Sequence, residues 1–223
     1  MPTETFFNLP DEKRERFLTV AIDEFADNDY RNASISRICR EVGIAKGSFY
    51  QYFADKKALF MYLIDLTIEE KRALLGQIEI PEGLDMFGRL RWLFEMQMQF
   101  DFAHPRLTEV GYRALYGDLP FRDDLLETLR AQATLSYRQM VLDGVADGSV
   151  NPNVDVDTAV FMIVSVFNEL GNYLQKRLGI SAETMVTRQL TAVEWAEAGK
   201  LFDELTRLLQ SGLGNHSPTQ YSP

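Results

Sequence analysis

The order of apolar and polar positions along this chain is helical almost from end to end. Between Asp11 and Asp27, the residues Leu18, Ala21, Ile22 and Phe25 fall on one stripe, which predicts an amphipathic helix over 11–27. Residues 1–10, ending at Pro10, read as a flexible lead. Two short periodic segments follow, 35–42 and 46–53, with Gly43 between them. Ser34 is placed to cap the first, because its hydroxyl can accept from an unpaired amide of the opening turn. Ile38 and Val42 share one face of that helix, and the small Cys39 lets the next helix approach. Gly43 suits the turn, since glycine takes positive φ at no steric cost. Ile44 re-enters the core, and Phe49, Tyr52 and Phe53 supply the inner side of the second helix. This is helix-turn-helix spacing, and it presents the second helix to a DNA major groove.

The remaining pattern is also helical. Asp55 is placed to cap a longer helix reaching Gln77, with Leu59, Leu63, Leu66 and Leu74 among its apolar positions; Pro81 and Gly83 mark a boundary. Residues 84–102 are apolar on two opposite faces. Phe87, Leu90, Phe94, Met98 and Phe102 form one, and Trp92, Met96 and Phe100 the other. A helix apolar on both sides is buried on both sides. Further helices are expected over 105–116, 120–146, 155–177 and 182–211, the last with a break near 190–191. Residues 214–223 have the composition of a disordered tail. The fold class is therefore all-α in two domains. Residues 1–53 form the helix-turn-helix domain and 54–213 a second, helical domain, with 54–77 as the connecting helix.

The block GIAKGSFYQYFADKKALF, from Gly43 to Phe60, resembles the signature of the tetracycline-repressor family of bacterial regulators. The match combines a turn of fixed length, the Lys46-Gly47-Ser48 start, the aromatic run through Phe53, and Lys56 and Leu59 at their family spacing. It extends back through Phe25, Ile22 and Ala21 to about residue 13, and not into 80–223. Asp29 stands where the family usually has glycine, which Asp tolerates because it adopts the left-handed conformation more readily than most residues. Cys39 stands where the family usually has alanine. The resemblance implies that Lys46, Tyr50, Tyr52 and Lys56 contact the DNA backbone. It implies that Ser48 and Gln51 read bases, and that Ser36 and Arg37 face DNA from the preceding helix, with Gly47 at the groove helix's start. Glutamine is suited to bidentate contact with adenine.

Charge at first argues against a nucleic-acid partner, because the chain carries a formal −10. Its distribution reverses the argument. Residues 31–57 hold six basic side chains, Arg31, Arg37, Arg40, Lys46, Lys56 and Lys57, against Glu41 and Asp55. Local field over the contact surface governs association with phosphate, not the sum over the molecule. One cysteine excludes an internal disulfide. The first residues lack a charged-then-apolar signal pattern, and the longest apolar run, 159–164, falls far below the roughly 18 residues needed to cross a bilayer. A cytoplasmic protein without membrane contact is expected.

Trp92, Phe94, Met96, Met98, Phe100, His104 and Tyr112 admit two readings, ordinary core or an apolar ligand cavity with polar anchors such as Glu95 and Gln99. The family resemblance implies an effector pocket among these helices. With Arg91 as the single obvious positive group, a neutral or cationic ligand is favoured over a polyanion. Trp195, Ala198, Phe202, Leu205 and Leu209 repeat at alternating spacings of three and four, a coiled-coil-like seam, and Val160, Val164 and Phe167 offer an apolar face nearby. The seam packs within one subunit or between two; the resemblance implies a homodimer. Asn168, Glu169 and Asn172 in the same helix are candidates to fix register or anchor a ligand. No zinc-like spacing of ligands, glycine-rich phosphate loop or nucleophile elbow is present, so no cofactor, metal or catalytic residue is assigned. The reading is a regulator that binds a double-stranded operator and is released by a small, mostly apolar effector. The rival is an all-α ligand-binding protein or enzyme with a vestigial motif.

Overall fold

Ser34 and Gly43 bound the first helix of the motif as their chemistry requires. The Ser34 hydroxyl accepts from the Arg37 amide at 3.3 Å, and Gly43 has φ +81° with its N–H donating to the Cys39 carbonyl. The same logic operates along the chain. Asp55 accepts from the Ala58 amide at 2.7 Å, Asp155 from the Thr158 amide at 2.7 Å, and Thr191 forms a capping box with Glu194. The structure, a computed structural model, describes residues 1–180 and 191–214. Among these lie the helices α1 (Glu4–Phe7), α2 (Asp11–Asp27), α3 (Ile35–Val42), α4 (Lys46–Tyr52), α5 (Lys56–Gln77), α6 (Met86–Ala103), α7 (Pro105–Tyr116), α8 (Arg122–Asp147), α9 (Val156–Leu178) and α10 (Ala192–Leu213). Beyond them the described residues hold one isolated antiparallel bridge, Val150 to Gly214. The all-α class expected from the periodicity is observed. The expected helix over 182–190, the tail beyond Gly214, and the side chains of Asn168 and Asn172 lie outside the described residues. No helix of the described residues is long and apolar enough to cross a membrane.

The opening residues depart from the expected flexible lead. They form α1, and Phe6 is 0% exposed. Its ring meets Phe53 at 4.9 Å, Phe17 at 5.5 Å and Tyr62 at 5.8 Å. The physical reason lies at the end of α4, whose last carbonyls have no donor within the helix. Thr3 supplies them: its N–H donates to the Tyr52 carbonyl at 2.9 Å and its hydroxyl to the Gln51 carbonyl at 2.5 Å. Asp29 also behaves differently from expectation. No non-glycine residue among those described has positive φ. Asp29 instead holds its turn through its carboxylate, which accepts from the Asn32 amide at 2.8 Å and from the Asn32 side chain at 3.0 Å.

The chain gathers into two compact units. The first comprises residues 1–77 and 100–123, so it includes the connecting helix α5 and all of α7. Within it α2 packs on α3 and α7, and α5 packs on α7. Phe17, Phe25, Phe49, Phe53, Leu59, Phe60 and Leu63 form its buried interior. Two arginines of α7 grip the end of α2. Arg106 pairs with Asp23 at 2.8 Å and Asp27 at 2.6 Å, and Arg113 donates to the Ala26 carbonyl at 2.9 Å.

The second unit comprises residues 78–99 and the chain from Asp124 onward. Met86, Leu90, Val141, Val150, Ile163 and Leu213 are among its core residues. Gly144 lets α6 and α8 approach, because a Cβ there would lie 2.7 Å from Val150 Cγ2 and 2.9 Å from Met86 Cβ. Neither contact is with the far end of a flexible chain, so Gly144→Ala must push the helices apart. We expect it to destabilise the protein by about 1–3 kcal/mol, the usual cost of overpacking, measured by chemical denaturation.

Candidate nucleic-acid interface

The motif's geometry begins with a buried carboxylate. Glu24, near the end of α2, is 9% exposed. It accepts from the Ser34 amide at 2.7 Å and from Arg37 Nε at 3.0 Å to each oxygen. Arg37 also donates to the Asn32 carbonyl at 2.8 Å. The guanidinium expected to face DNA therefore ties α2 to the first turn of α3. Lys56 departs from expectation in the same way. Its ammonium donates to the carbonyls of Tyr30 at 2.7 Å, Ala33 at 3.0 Å and Arg31 at 3.2 Å, and lies 4.7 Å from the centre of the Tyr30 ring. An ammonium has three donors, and all three are taken. The Lys56 donors are therefore spent on the backbone of the α2–α3 connection, whereas Arg37 keeps its Nη1 donors free of any partner among the described residues.

What remains outward is narrower than composition suggests. Arg31 pairs with Asp118 at 2.8 Å, and Lys57 lies over the Phe121 ring at 4.6 Å. Ser36, Lys46, Gly47, Tyr50 and Gln51 are exposed, and Ser48 is half-buried. A Cβ at Gly47 would meet nothing within 4 Å, so no packing inside the chain calls for glycine there. Tyr52 is half-buried, its ring edge-on to Phe17 at 6.0 Å, while Phe49 is fully buried. Arg40, which sequence reasoning counted in the basic block but assigned no role, is exposed and one turn along α3 from Ser36. Among the described residues it has no ion-pair partner. The signal for it was available, since residues four apart share a helix face.

The residues read as a ligand set fall in different units. Trp92, Phe94, Met96 and Met98 are buried in the second, where the Phe94 ring stacks on Phe202 at 3.9 Å. Arg91 is committed there to Glu95 and Asp203. Phe100, His104 and Tyr112 lie in the first unit, where Phe100 is 1% exposed and His104 stacks on it at 4.7 Å. Polar groups accompany them. Buried Asp101 accepts from the Thr108 hydroxyl at 3.1 Å, and Glu109 pairs with Arg113 at 3.0 Å. The second carboxylate oxygen of Glu109 is buried without a donor among the described residues. Desolvation raises the Glu109 carboxyl above the usual range, opposed by Arg113, and raises the Tyr112 hydroxyl well above that of an ordinary phenol.

The seam residues divide as well. Val160, Phe202 and Leu209 are buried inside the second unit, and Val164, Phe167, Trp195 and Leu205 are half-buried. The apolar side chains that α9 and α10 present outward are Phe161 and Val193, each 72% exposed, with Leu208 at 54% and Tyr173 at 49%.

An all-α chain with an exposed helix-turn-helix face defines a DNA-binding regulator. Residues 17–63 match the family model for bacterial regulatory proteins of the tetR family, and residues 84–213 match that for the tetracyclin repressor-like C-terminal domain. The chain belongs to the tetR family, whose members are helix-turn-helix transcriptional regulators. A solved TetR family transcriptional regulator from Chloroflexus aurantiacus J-10-FL is 44% identical, with a TM-score of 0.77 over 97% of this chain and 100% of that one. The HTH-type transcriptional regulator YdgC of Bacillus subtilis is 30% identical over 59% of this chain and 71% of its own length. The transcriptional regulator FadR from Bacillus subtilis, solved in complex with stearoyl-CoA, shares the fold at 18% identity, with a TM-score of 0.65 over 89% of this chain and 98% of that one.

Salt titration of DNA binding separates the outward cations from the inward ones. Lys46→Ala and Arg40→Ala should each lower the slope of log affinity against log salt by about one. Lys56→Ala should leave that slope unchanged and instead destabilise the fold by about 1–3 kcal/mol, as loss of charge-assisted hydrogen bonds does. A shallower slope for Lys56→Ala would return that residue to the DNA surface.

Proposed function

We propose that this regulator is a homodimeric repressor that reads a near-palindromic operator through α3 and α4 and is released by a small, mostly apolar effector. The exposed face formed by Ser36, Arg40, Lys46, Gly47, Tyr50 and Gln51, with Ser48 at its edge, is the observation that carries the reading. Lys46 and Arg40 meet phosphate. Ser48 and Gln51 read base edges, with Ser36 beside them. Selection of operators from random duplexes tests this. The wild type should enrich one sequence, and Gln51→Ala should relax one or two positions of it, each by roughly 1–3 kcal/mol. Unchanged preference at every position would move base reading to other residues.

Release by an effector is supported by the C-terminal family match and by the FadR fold, which holds stearoyl-CoA in that protein. Of the apolar set, Phe100, His104 and Tyr112 are the members with buried polar neighbours, and they are the effector contacts we favour. Phe94 is accounted for by its stacking on Phe202, and Trp92, Met96 and Met98 by burial in the second unit. The effector acts by preferring one conformation; equal affinity for both would shift nothing.

The dimer face is the outward side of α9 and α10, with Phe161, Tyr173, Val193 and Leu208 as its apolar positions. Two heads held there would meet half-sites about one helical turn apart, roughly 34–36 Å. Phe161→Asp with Leu208→Asp should sediment as a folded monomer with strongly reduced operator affinity. Phe202→Asp should lower the thermal midpoint, because it places a charge inside one chain. A double mutant that stays dimeric would put the interface elsewhere.

A further inference from the structure

The buried stripe of α5 runs through Phe60, Leu63, Ile64 and Thr67. The next position on that face, one turn beyond Thr67, is Lys71. A lysine at the end of an apolar stripe ordinarily carries its ammonium out to water. Lys71 is half-buried and holds its ammonium 5.0 Å from the centre of the Phe100 ring. That ring is 1% exposed and is stacked by His104. Among the described residues no carboxylate lies within ion-pair distance of Lys71. Asp101 influences it from farther away, and its carboxylate already accepts from Thr108. Desolvation holds the Lys71 ammonium below the ordinary lysine range, with Asp101 opposing the shift. Three N–H donors are thus held over a ring face with no acceptor among the described residues. Tyr112, another neighbour of Asp101, has its hydroxyl held protonated by burial, so it too is a donor.

We propose that Lys71 is the anchor of the effector site in the first unit, and that the site takes a single carboxylate carried on an apolar body. The proposal rests on the effector reading above and names its ligand class. The Lys71 donors, which have no acceptor among the described residues, select an acceptor. A cationic group would face the lysine itself. One lysine balances one negative charge, and the buried carboxylates of Asp101 and Glu109 on α6 and α7 oppose a second. The Phe100 ring, which now holds the ammonium by its π face, supplies apolar contact beside the anchor. This differs from the neutral or cationic ligand expected from composition. That expectation weighed Arg91, which pairs with Glu95 and Asp203, and passed over Lys71.

Decanoate, decanol and decylamine share one alkyl chain and differ in head group. Their binding to the full-length protein, measured by calorimetry, tests the proposal. Decanoate should bind at least about tenfold more tightly than decanol, the value of a hydrogen bond to a charged group, and decylamine should bind weakest. Lys71→Met should bring decanoate to the level of decanol while leaving decanol unchanged; methionine suits a position over an aromatic ring, so the fold is kept. Lys71→Arg should keep the preference. Equal binding of the acid and the alcohol by the wild type, a preference that survives Lys71→Met, or no binding of any of the three at millimolar concentration would overturn it. Operator release, measured in parallel, separates the two claims. Decanoate bound through Lys71 without loss of operator affinity would uphold the site and sink the effector reading. Release by decanol in both wild type and Lys71→Met would uphold the effector reading and sink the site.

Discussion

The carboxylate of Glu24 is the interaction on which the DNA-reading head depends. A charge withdrawn from water must be paired and hydrogen-bonded, and removing one partner leaves the other uncompensated. Glu24 meets that demand with the Ser34 amide and the Arg37 guanidinium. In doing so it joins the end of α2 to the start of α3. Lys56 completes the arrangement from α5 by occupying the carbonyls of Tyr30, Arg31 and Ala33. The connection between α2 and α3 is then held from both sides, and α3 in turn packs against α4. The end of α2 is also gripped from α7 by Arg106 and Arg113. These are connected polar contacts of one unit, and they link the helix-turn-helix to the helices that carry Lys71 and Tyr112.

The electrostatic picture follows from this allocation. A formal charge of −10 and a basic block of six residues both mislead when taken alone. Of the six, Arg37 and Lys56 serve the backbone and buried charge, Arg31 pairs with Asp118, and Lys57 lies over Phe121. Arg40 and Lys46 are left outward. They are the two of the six with no side-chain ion pair, ring contact or hydrogen bond of their own among the described residues.

Much of the fold was legible because it is local. Ser34 and Gly43 delimit α3, and Asp155 and Gly179 delimit α9, through chemistry within a few residues of each other. The two apolar faces of α6 were also visible, since periodicity alone places Leu90 and Met98 opposite Met96 and Phe100. What escaped is long-range. Nothing near Arg37 in the chain announces Glu24, thirteen residues earlier, and nothing near Lys56 announces three carbonyls at the far end of the motif. A heptad-like seam specifies that Phe202 needs an apolar partner, but not that the partner is Phe94 of the same chain. The first residues escaped because α1 is only four residues long and owes its order to Thr3 and the end of α4.

Covalent labelling of lysines with and without the selected operator, read by mass spectrometry, tests the central claim most directly. The claim is that the motif holds itself together with Lys56 and meets DNA with Lys46. Lys46 should react readily in the free protein and become protected when operator is bound. Lys56 should react slowly in both states, because its ammonium is already occupied. A Lys56 that reacts freely without DNA and is protected by operator, or a Lys46 whose reactivity does not change, would contradict the account.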